Sequence, residues 1–211
     1  METLLNISRA VQSGDDAETV RLTHAGLARG LTALELLEQG LIPGMMEVGN
    51  QFKAGRIFIP EVLRSARAMN RALEILDPIL SGTTDHIKGL VLLGTVQGDM
   101  HTIGKSLAAI MFRSAGFVVR DLGVNVPARA FRDALSQEGA VGVGLSAMLT
   151  TTMLNMQPVV DMVKTEFPGV PIVIGGAPTS EEFARSIGAD YWAKSAMDGV
   201  EKILQHLETT T

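Results

Sequence analysis

The hydrophobic pattern of the chain changes its period near the middle, and this change limits the possible folds. Beyond about residue 88, short apolar segments alternate with longer segments of helical period. The predicted strands are GLVLLGT (89–95), FVVRDLG (117–123), AVGVGLS (140–146), VPIVIGG (170–176) and ADYWA (189–193). The predicted helices are 104–115, 127–138, 151–167, 179–187 and 197–208. Such alternation is typical of βαβ units, so we expect a doubly wound, flavodoxin-like α/β domain with a five-stranded parallel sheet.

The first part of the chain has only the helical period. Residues 3 to about 80 contain no strand-like run, and four helices joined by short turns favour a four-helix bundle. Within it, residues 32–58 are expected to form two helices separated at GLIPG (40–44). The polar stretch SGTTDHIKG (81–89) is the predicted linker and hinge, which divides the chain into a helical domain at 1–84 and an α/β domain at 85–211.

Composition and charge exclude several classes of protein. The chain of 211 residues has no cysteine, so it can form no disulfide, thiolate metal site or iron–sulfur cluster. Its formal charge of -5 argues against a nucleic-acid partner, which usually requires a basic face. The N-terminus lacks the features of a signal peptide, and no apolar stretch is long enough to span a bilayer. We therefore expect a cytoplasmic protein without a membrane partner.

Three loops that follow predicted strands carry candidate ligand-binding residues: QGDMHTIG (97–104), SAMLTTT (146–152) and GGAPTS (175–180). Because the carboxyl ends of parallel strands meet at one edge of a sheet, these loops are expected to converge. In the first loop, Asp99 is close enough in sequence to accept a hydrogen bond from one nitrogen of His101, which leaves the other nitrogen free for a metal. The alternatives for His101 are a helix cap or a solvent-exposed side chain.

The other loops contain no second histidine or carboxylate cluster. A lone histidine cannot hold a bare metal ion against water, but it can be the axial ligand of a metal held in a macrocycle. The same segment, GDMHTIGKS, also has features of a phosphate-binding P-loop, because it follows a strand and ends in Gly104, Lys105 and Ser106. The P-loop motif needs a glycine at the position of Asp99, whose carboxylate would repel phosphate, so nucleotide binding is disfavoured.

The motif DMHTIG (99–104) resembles the D-x-H-x-x-G signature of cobalamin-binding domains that bind the cofactor with its own base displaced. GLSAMLTTTM (144–153) resembles the S-x-L segment of these domains, and IGGAP (174–178) resembles their G-G segment, in the same order and spacing. The helical part, above all residues 48–76, is similar to the cap module of methionine synthase and of corrinoid proteins of methyltransferase systems. The resemblance covers nearly the whole chain.

The resemblance implies three catalytic residues. His101 would be the lower axial ligand to cobalt, and therefore the metal ligand, while Asp99 would accept its proton and Thr152 would extend that relay. Thr152 stands where methionine synthase has a serine, and it keeps the hydroxyl group. Met148 replaces the leucine of the S-x-L segment, an exchange that conserves volume.

The resemblance also implies supporting residues. Ser146 would contact the displaced base, Gly175 and Gly176 would leave room for the nucleotide tail, and Phe52 and Ile59 would shield the upper face of the corrin. The complete expected cofactor-binding set is Gly98, Asp99, His101, Thr102, Ile103, Gly104, Ser146, Met148, Thr150, Thr152, Gly175, Gly176, Phe52 and Ile59. Structural explanations stay open: threonines often begin a helix, paired glycines form tight turns, and apolar residues at helical spacing usually fill a core.

The implied cofactor is cobalamin, with methylcobalamin as the loaded state. The implied function is that of a methyl-carrying subunit rather than a complete enzyme. A donor-specific methyltransferase would load the cobalt, an acceptor methyltransferase using tetrahydrofolate or a thiol would unload it, and a reductive activator would be a third partner. O-demethylation of methyl ethers is the first candidate reaction. The alternatives are a cobalamin-binding sensor or regulatory module and the cobalamin subunit of a mutase.

Overall fold

The computed structural model of the chain describes residues 2–80 and 87–210. The chain divides into two compact units, Met1–Lys88 with Ser114–Gly116, and Gly89–Arg113 with Phe117–Thr211. The predicted boundary between residues 84 and 85, and most of the predicted linker and hinge at 81–89, lie outside the described residues and stay predictions. In the described part of the chain, no helix is both long and apolar enough to cross a membrane.

The first unit is helical, as predicted. Its elements are α1 (Glu2–Ser13), α2 (Asp16–Ala28), α3 (Ala33–Leu36), a π-helical segment (Leu37–Leu41), α4 (Ile42–Lys53) and α5 (Ile59–Leu80). Two of the helix starts are capped as their sequences suggest. The Asp15 side chain accepts a hydrogen bond from the Glu18 N–H, and Thr32 forms a capping box with Glu35. The core of this unit includes the fully buried side chains of Ile7, Leu36, Leu41, Met45 and Leu76.

The predicted helix break at residues 40–44 is wrong. The backbone stays helical from Ala33 to Lys53, and the π-helical segment Leu37–Leu41 leads directly into α4. Pro43 is the second residue of α4 and follows directly after the π-helical segment, where the Ile42 N–H bonds to the Leu37 carbonyl oxygen instead of the usual α-helical partner. Gly44 serves helix packing instead, because a Cβ atom there would lie 2.7 Å from the Ser8 carbonyl oxygen of α1.

The second unit is an α/β domain. Its strands are β1 (Leu90–Thr95), β2 (Val118–Asp121), β3 (Gly142–Ser146), β4 (Ile172–Gly175) and β5 (Tyr191–Ala193). Its helices are α6 (Ile103–Ser114), α7 (Ala128–Glu138), α8 (Thr150–Met153), α9 (Gln157–Glu166), α10 (Glu181–Ser186) and α11 (Ala196–Thr210). A short 3₁₀ segment, Leu154–Met156, separates α8 from α9, where one helix over 151–167 was predicted. Each observed strand lies inside the corresponding predicted segment.

All strand pairs are parallel, in the order β2-β1-β3-β4-β5. This is the flavodoxin-like order, in which ligands bind where the strand order reverses, at the carboxyl ends of β1 and β3. Strand β1 is buried along almost its whole length, as expected for a parallel strand covered on both faces. The predicted fold class, a helical unit followed by a five-stranded flavodoxin-like domain, is confirmed.

Candidate cofactor-binding site

The strand register brings the three predicted loops together. Thr95 at the end of β1 pairs with Ser146 at the end of β3, and Ser146 pairs with Gly175 at the end of β4. The segments that follow these residues therefore leave the sheet side by side. The predicted convergence of the three loops is confirmed.

The Asp99 carboxylate is the centre of the site. Its side chain is fully buried and accepts four hydrogen bonds. Oδ1 accepts from the His101 N–H at 2.9 Å and contacts His101 Nδ1 at 2.8 Å, while Oδ2 accepts from the Met148 N–H at 2.7 Å and from Thr152 Oγ1 at 2.6 Å. Burial raises the pKa of the Asp99 carboxyl, but the bonds from Met148, Thr152 and His101 outweigh it and hold that pKa well below its ordinary value. Asp99 is thus a fixed anion.

The His101 side chain is oriented by this anion. Nδ1 is occupied by Asp99, so Nε2 is the ring nitrogen left for a ligand. The imidazole is about half exposed (54%), while the carboxylate that holds it is fully buried (0%). Among the described residues, no group of three or more histidine, aspartate or glutamate side chains could hold a bare metal ion. The donor set therefore fits a metal held by a macrocycle, with one axial position for His101.

The three threonines of α8 have different environments. Thr152 is buried and bound to Asp99, whereas Thr150 and Thr151 are exposed. Met148 contributes its main-chain N–H to Asp99, and its side chain is about half exposed. The exchange of leucine for methionine at position 148 therefore leaves the contact with Asp99 unchanged.

The glycines of the site have different reasons to be glycine. Gly98 (φ 84°) and Gly176 (φ 122°) adopt left-handed backbone conformations, and a Cβ atom at Gly176 would lie 1.8 Å from the Ala147 carbonyl oxygen. Gly176 is thus required by the fold. At Gly104, by contrast, a Cβ atom would meet no atom of the described residues within 4 Å. Packing does not require glycine at position 104, and the free space beside it can admit a ligand.

Large apolar side chains are exposed around His101. They are Met100, Ile103, Met148, Leu149 and Leu154, each between 47% and 67% exposed. Met100 precedes His101 directly, and Ile103 is the first residue of α6. Met148 and Leu149 lie between β3 and α8, and Leu154 begins the 3₁₀ segment. The Ser146 hydroxyl has no hydrogen-bond partner within the described part of the chain. A broad, largely apolar ligand with some polar groups matches this surface, and a corrin with its nucleotide tail has that character.

Three residues that sequence reasoning missed hold the main chain of the His101 loop. Thr95 Oγ1 donates to the His101 carbonyl oxygen at 2.8 Å, and Asn155 Nδ2 donates to the Gln97 carbonyl oxygen at 2.7 Å. Asn125 Oδ1 accepts from the Gly98 N–H at 2.7 Å. Thr95 could have been suspected from the sequence, because it is a polar residue at the end of an apolar strand segment. No local sequence feature distinguishes the two asparagines.

Comparison with known proteins identifies the family. A family model described as "B12 binding domain" matches residues 89–201, and a second model with the same description matches residues 4–77. A corrinoid protein of Desulfitobacterium hafniense is 36% identical over 206 residues, which is 95% of this chain and 95% of that protein. The chain belongs to the B12-binding corrinoid proteins. Its cofactor is cobalamin. Its predicted resemblance to the corrinoid proteins of methyltransferase systems is confirmed by these matches together with the two relatives described next.

Two further relatives of this corrinoid protein are informative. Trimethylamine corrinoid protein 1 of Methanosarcina acetivorans is 36% identical over 206 residues, which is 96% of this chain and 95% of that protein. In the methanol:cobalamin methyltransferase complex MtaBC of Methanosarcina barkeri, one chain superposes with a TM-score of 0.86 at 30% identity. That match covers 100% of this chain and 81% of the other.

The two residues predicted to shield the corrin and the histidines other than His101 lie elsewhere in the corrinoid protein. Phe52 and Ile59 lie in the helical unit, where Phe52 is half-buried and Ile59 is exposed, and their shielding of the cofactor stays a prediction. His24 is exposed. His206 is half-buried, and its Nδ1 lies 2.9 Å from the Tyr191 hydroxyl. The fourth histidine, at position 86, lies outside the described residues.

Proposed function

We propose that this corrinoid protein is a methyl-carrying subunit. It would present its cofactor to one methyltransferase that loads a methyl group and to another that removes it. The observation that carries the proposal is the buried Asp99 carboxylate, which binds both Thr152 and His101 Nδ1 and leaves Nε2 free. When bound, cobalamin supplies a cobalt centre that can accept a methyl group and give it up again.

The three catalytic residues have distinct tasks in this proposal. His101 would be the lower axial ligand through Nε2, since Nδ1 is already taken by Asp99. Asp99 would keep the Nδ1 proton on the ring and leave the lone pair of Nε2 for the metal. The Thr152 hydroxyl donates to the same carboxylate and helps to keep it anionic. The chain's own contribution is therefore the orientation and the tautomer of one imidazole.

The names of the relatives support a methyl donor class. One relative is a trimethylamine corrinoid protein, and one superposed structure is a methanol:cobalamin methyltransferase complex. We therefore propose methylamines or methanol as the first donors to test, ahead of the methyl ethers predicted from sequence. O-demethylation, an acceptor methyltransferase using tetrahydrofolate or a thiol, and a reductive activator stay predictions.

The axial-ligand role is tested by visible absorption spectroscopy of the protein reconstituted with hydroxocobalamin and methylcobalamin. The wild type is expected to give a base-off, histidine-on spectrum, and His101→Ala is expected to abolish its histidine-on character. His24→Ala is the matched control, because His24 is an exposed histidine of the helical unit. A His101→Ala protein with the wild-type spectrum would contradict the assignment of His101 as axial ligand.

The carrier role is tested by methyl transfer. The protein is reduced, mixed in turn with methyltransferases specific for methylamines, methanol and methyl ethers, and followed by the spectral change on methylation. Methylation by one donor system, reversed by an acceptor methyltransferase, is the expected result. Selective binding of adenosylcobalamin without methylation in any system would instead support a sensor or mutase subunit.

A further inference from the structure

Asn125, in the segment between β2 and α7, has an unusual backbone conformation. Its φ is 54°, and it is the single non-glycine residue with positive φ among the residues that the structure describes. This left-handed region is unfavourable for L-residues, although asparagine tolerates it better than most. The conformation therefore calls for a compensating interaction.

Asn125 makes two hydrogen bonds to the loop QGDMHTIG (97–104), the His101 loop. Its side-chain Oδ1 accepts from the Gly98 N–H at 2.7 Å, and its main-chain N–H donates to the Asp99 carbonyl oxygen at 2.9 Å. Asn125 thus holds two consecutive residues of the loop from one position. The next residue continues the attachment, because the Val126 N–H donates to the Thr95 carbonyl oxygen at 2.9 Å.

The contacts of Asn125 complement those on the other side of the loop. Asn155 holds the Gln97 carbonyl oxygen and Thr95 holds the His101 carbonyl oxygen. Neither of these contacts reaches Gly98 or the main chain of Asp99. Glycine adopts positive and negative φ about equally readily, so the positive φ of Gly98 is not fixed by its own side chain, and a partner for its N–H helps to select it. Asn125 supplies that partner, and it fixes the residue from which the carboxylate of the site projects.

We propose that Asn125 is a positioning residue for the axial histidine. It makes no hydrogen bond to His101 itself and acts through Asp99: it fixes the Gly98–Asp99 backbone, the carboxylate then fixes Nδ1, and Nε2 is presented before the cofactor arrives. The proposal rests on the role of His101 in the proposed function. Asn125 is exposed, so its substitution does not disturb the core.

The choice of asparagine suggests a set of three variants. Asn125→Gly tolerates the positive φ but has no side-chain acceptor. Asn125→Asp tolerates the same φ and keeps an oxygen acceptor for the Gly98 N–H. Asn125→Ala loses both properties. If the side-chain acceptor matters, glycine and alanine are both defective and aspartate restores the wild-type behaviour.

The first readout needs no cofactor. Amide hydrogen exchange of the apoprotein is measured at Gly98 and His101 and compared with amides of the sheet. Asn125→Gly is expected to accelerate exchange at Gly98 about fivefold or more, which is the factor that one neutral hydrogen bond contributes, and Asn125→Asp is expected to restore protection. Unchanged exchange at Gly98 in Asn125→Gly would overturn the proposal.

The second readout is the fraction of bound hydroxocobalamin in the histidine-on form, from visible spectra at equal saturation. Asn125→Gly is expected to shift the ratio of histidine-on to histidine-off protein about fivefold toward histidine-off, and Asn125→Asp to recover it. A wild-type ratio in Asn125→Gly would also overturn the proposal. His101→Ala, measured in parallel, separates the two claims: if it keeps the wild-type spectrum, the axial-ligand assignment fails, while the exchange measurement still decides whether Asn125 orders the loop.

Discussion

Replacing Thr152 by valine tests how much of the site is built before any cofactor binds. The substitution keeps the shape of the side chain and removes the hydroxyl that donates to Asp99 at 2.6 Å. Hydrogen bonds to charged groups contribute about 1.5–3 kcal/mol to stability. Asp99 Oδ2 still accepts from the Met148 N–H, so the carboxylate is not left without a partner on that side. We therefore expect the apoprotein to lose about 2 kcal/mol of unfolding free energy.

The assay is urea denaturation of the apoprotein at pH 7. The sole tryptophan, Trp192, lies in β5 and reports the unfolding of the α/β unit. With a denaturant slope of about 2 kcal/mol per molar urea, the midpoint should fall by about 1 M. Thr151→Val is the matched control, because Thr151 is the exposed neighbour in the same helix, and it should leave the midpoint unchanged. Thr152→Ser keeps the hydroxyl and should recover most of the loss.

The pH dependence of this penalty has a defined sign. Burial raises the pKa of Asp99, but its hydrogen bonds outweigh burial and depress the pKa in the folded state, so the bonds to the carboxylate stabilise the fold at every pH above its ordinary value of 3.8. The Thr152→Val penalty should be constant from neutral pH down to about that value and should shrink only below it. A penalty under about 0.5 kcal/mol at pH 7, or one equal to that of Thr151→Val, would refute the reasoning.

Further predictions concern the glycines and the tryptophan. Gly104→Ala should leave apoprotein stability unchanged or raise it by about 0.5 kcal/mol in urea denaturation, since the new Cβ atom would meet no described residue within 4 Å, yet it should weaken cobalamin binding in a spectroscopic titration. Gly176→Ala should destabilise the apoprotein by about 3 kcal/mol or more in the same denaturation assay, because its Cβ would overlap a carbonyl oxygen. Trp192 Nε1 donates to Thr179 Oγ1 at 3.0 Å, and that hydroxyl donates to the Gly176 carbonyl oxygen at 2.7 Å. Thr179→Val should therefore cost about 1 kcal/mol and shift the tryptophan emission, whereas equal stability and emission would show that this link contributes little.

The parts of the fold that depend on hydrophobic period were predictable from sequence. Parallel strands buried on both faces give short apolar runs, so β1 and β3 were located to within two residues at each end. The helix break at 40–44 was predicted wrongly because Pro43 and two glycines are ordinary break signals. The close approach of Gly44 to Ser8 of α1 depends on tertiary packing, which no local pattern reveals.

One contact of the candidate site could be predicted because its residue types had a chemical reason to be present. The spacing of Asp99 and His101 implied their hydrogen bond, and the structure contains it. The run of three threonines alone could not show which hydroxyl reaches Asp99, because that depends on where α8 begins relative to β3. The family resemblance selected Thr152, and the structure contains its hydrogen bond to Asp99. The role of Asn125 could not be predicted from the sequence. This residue lies 24 positions after His101, and only the folded chain, with its left-handed backbone at Asn125, brings its side chain to the Gly98 N–H.

The Asp99 carboxylate has hydrogen-bond partners besides the His101 ring, so its burial does not depend on that ring alone. Three of its four hydrogen bonds come from the Met148 N–H, the Thr152 hydroxyl and the His101 N–H, and none of these involves the imidazole. Rotation of the His101 side chain therefore breaks one of four hydrogen bonds and leaves the buried anion satisfied. Since the imidazole is about half exposed, water can replace Asp99 at Nδ1 when the ring turns away. A carboxylate held by the His101 ring alone would instead be left as an unpaired buried charge if the ring turned away.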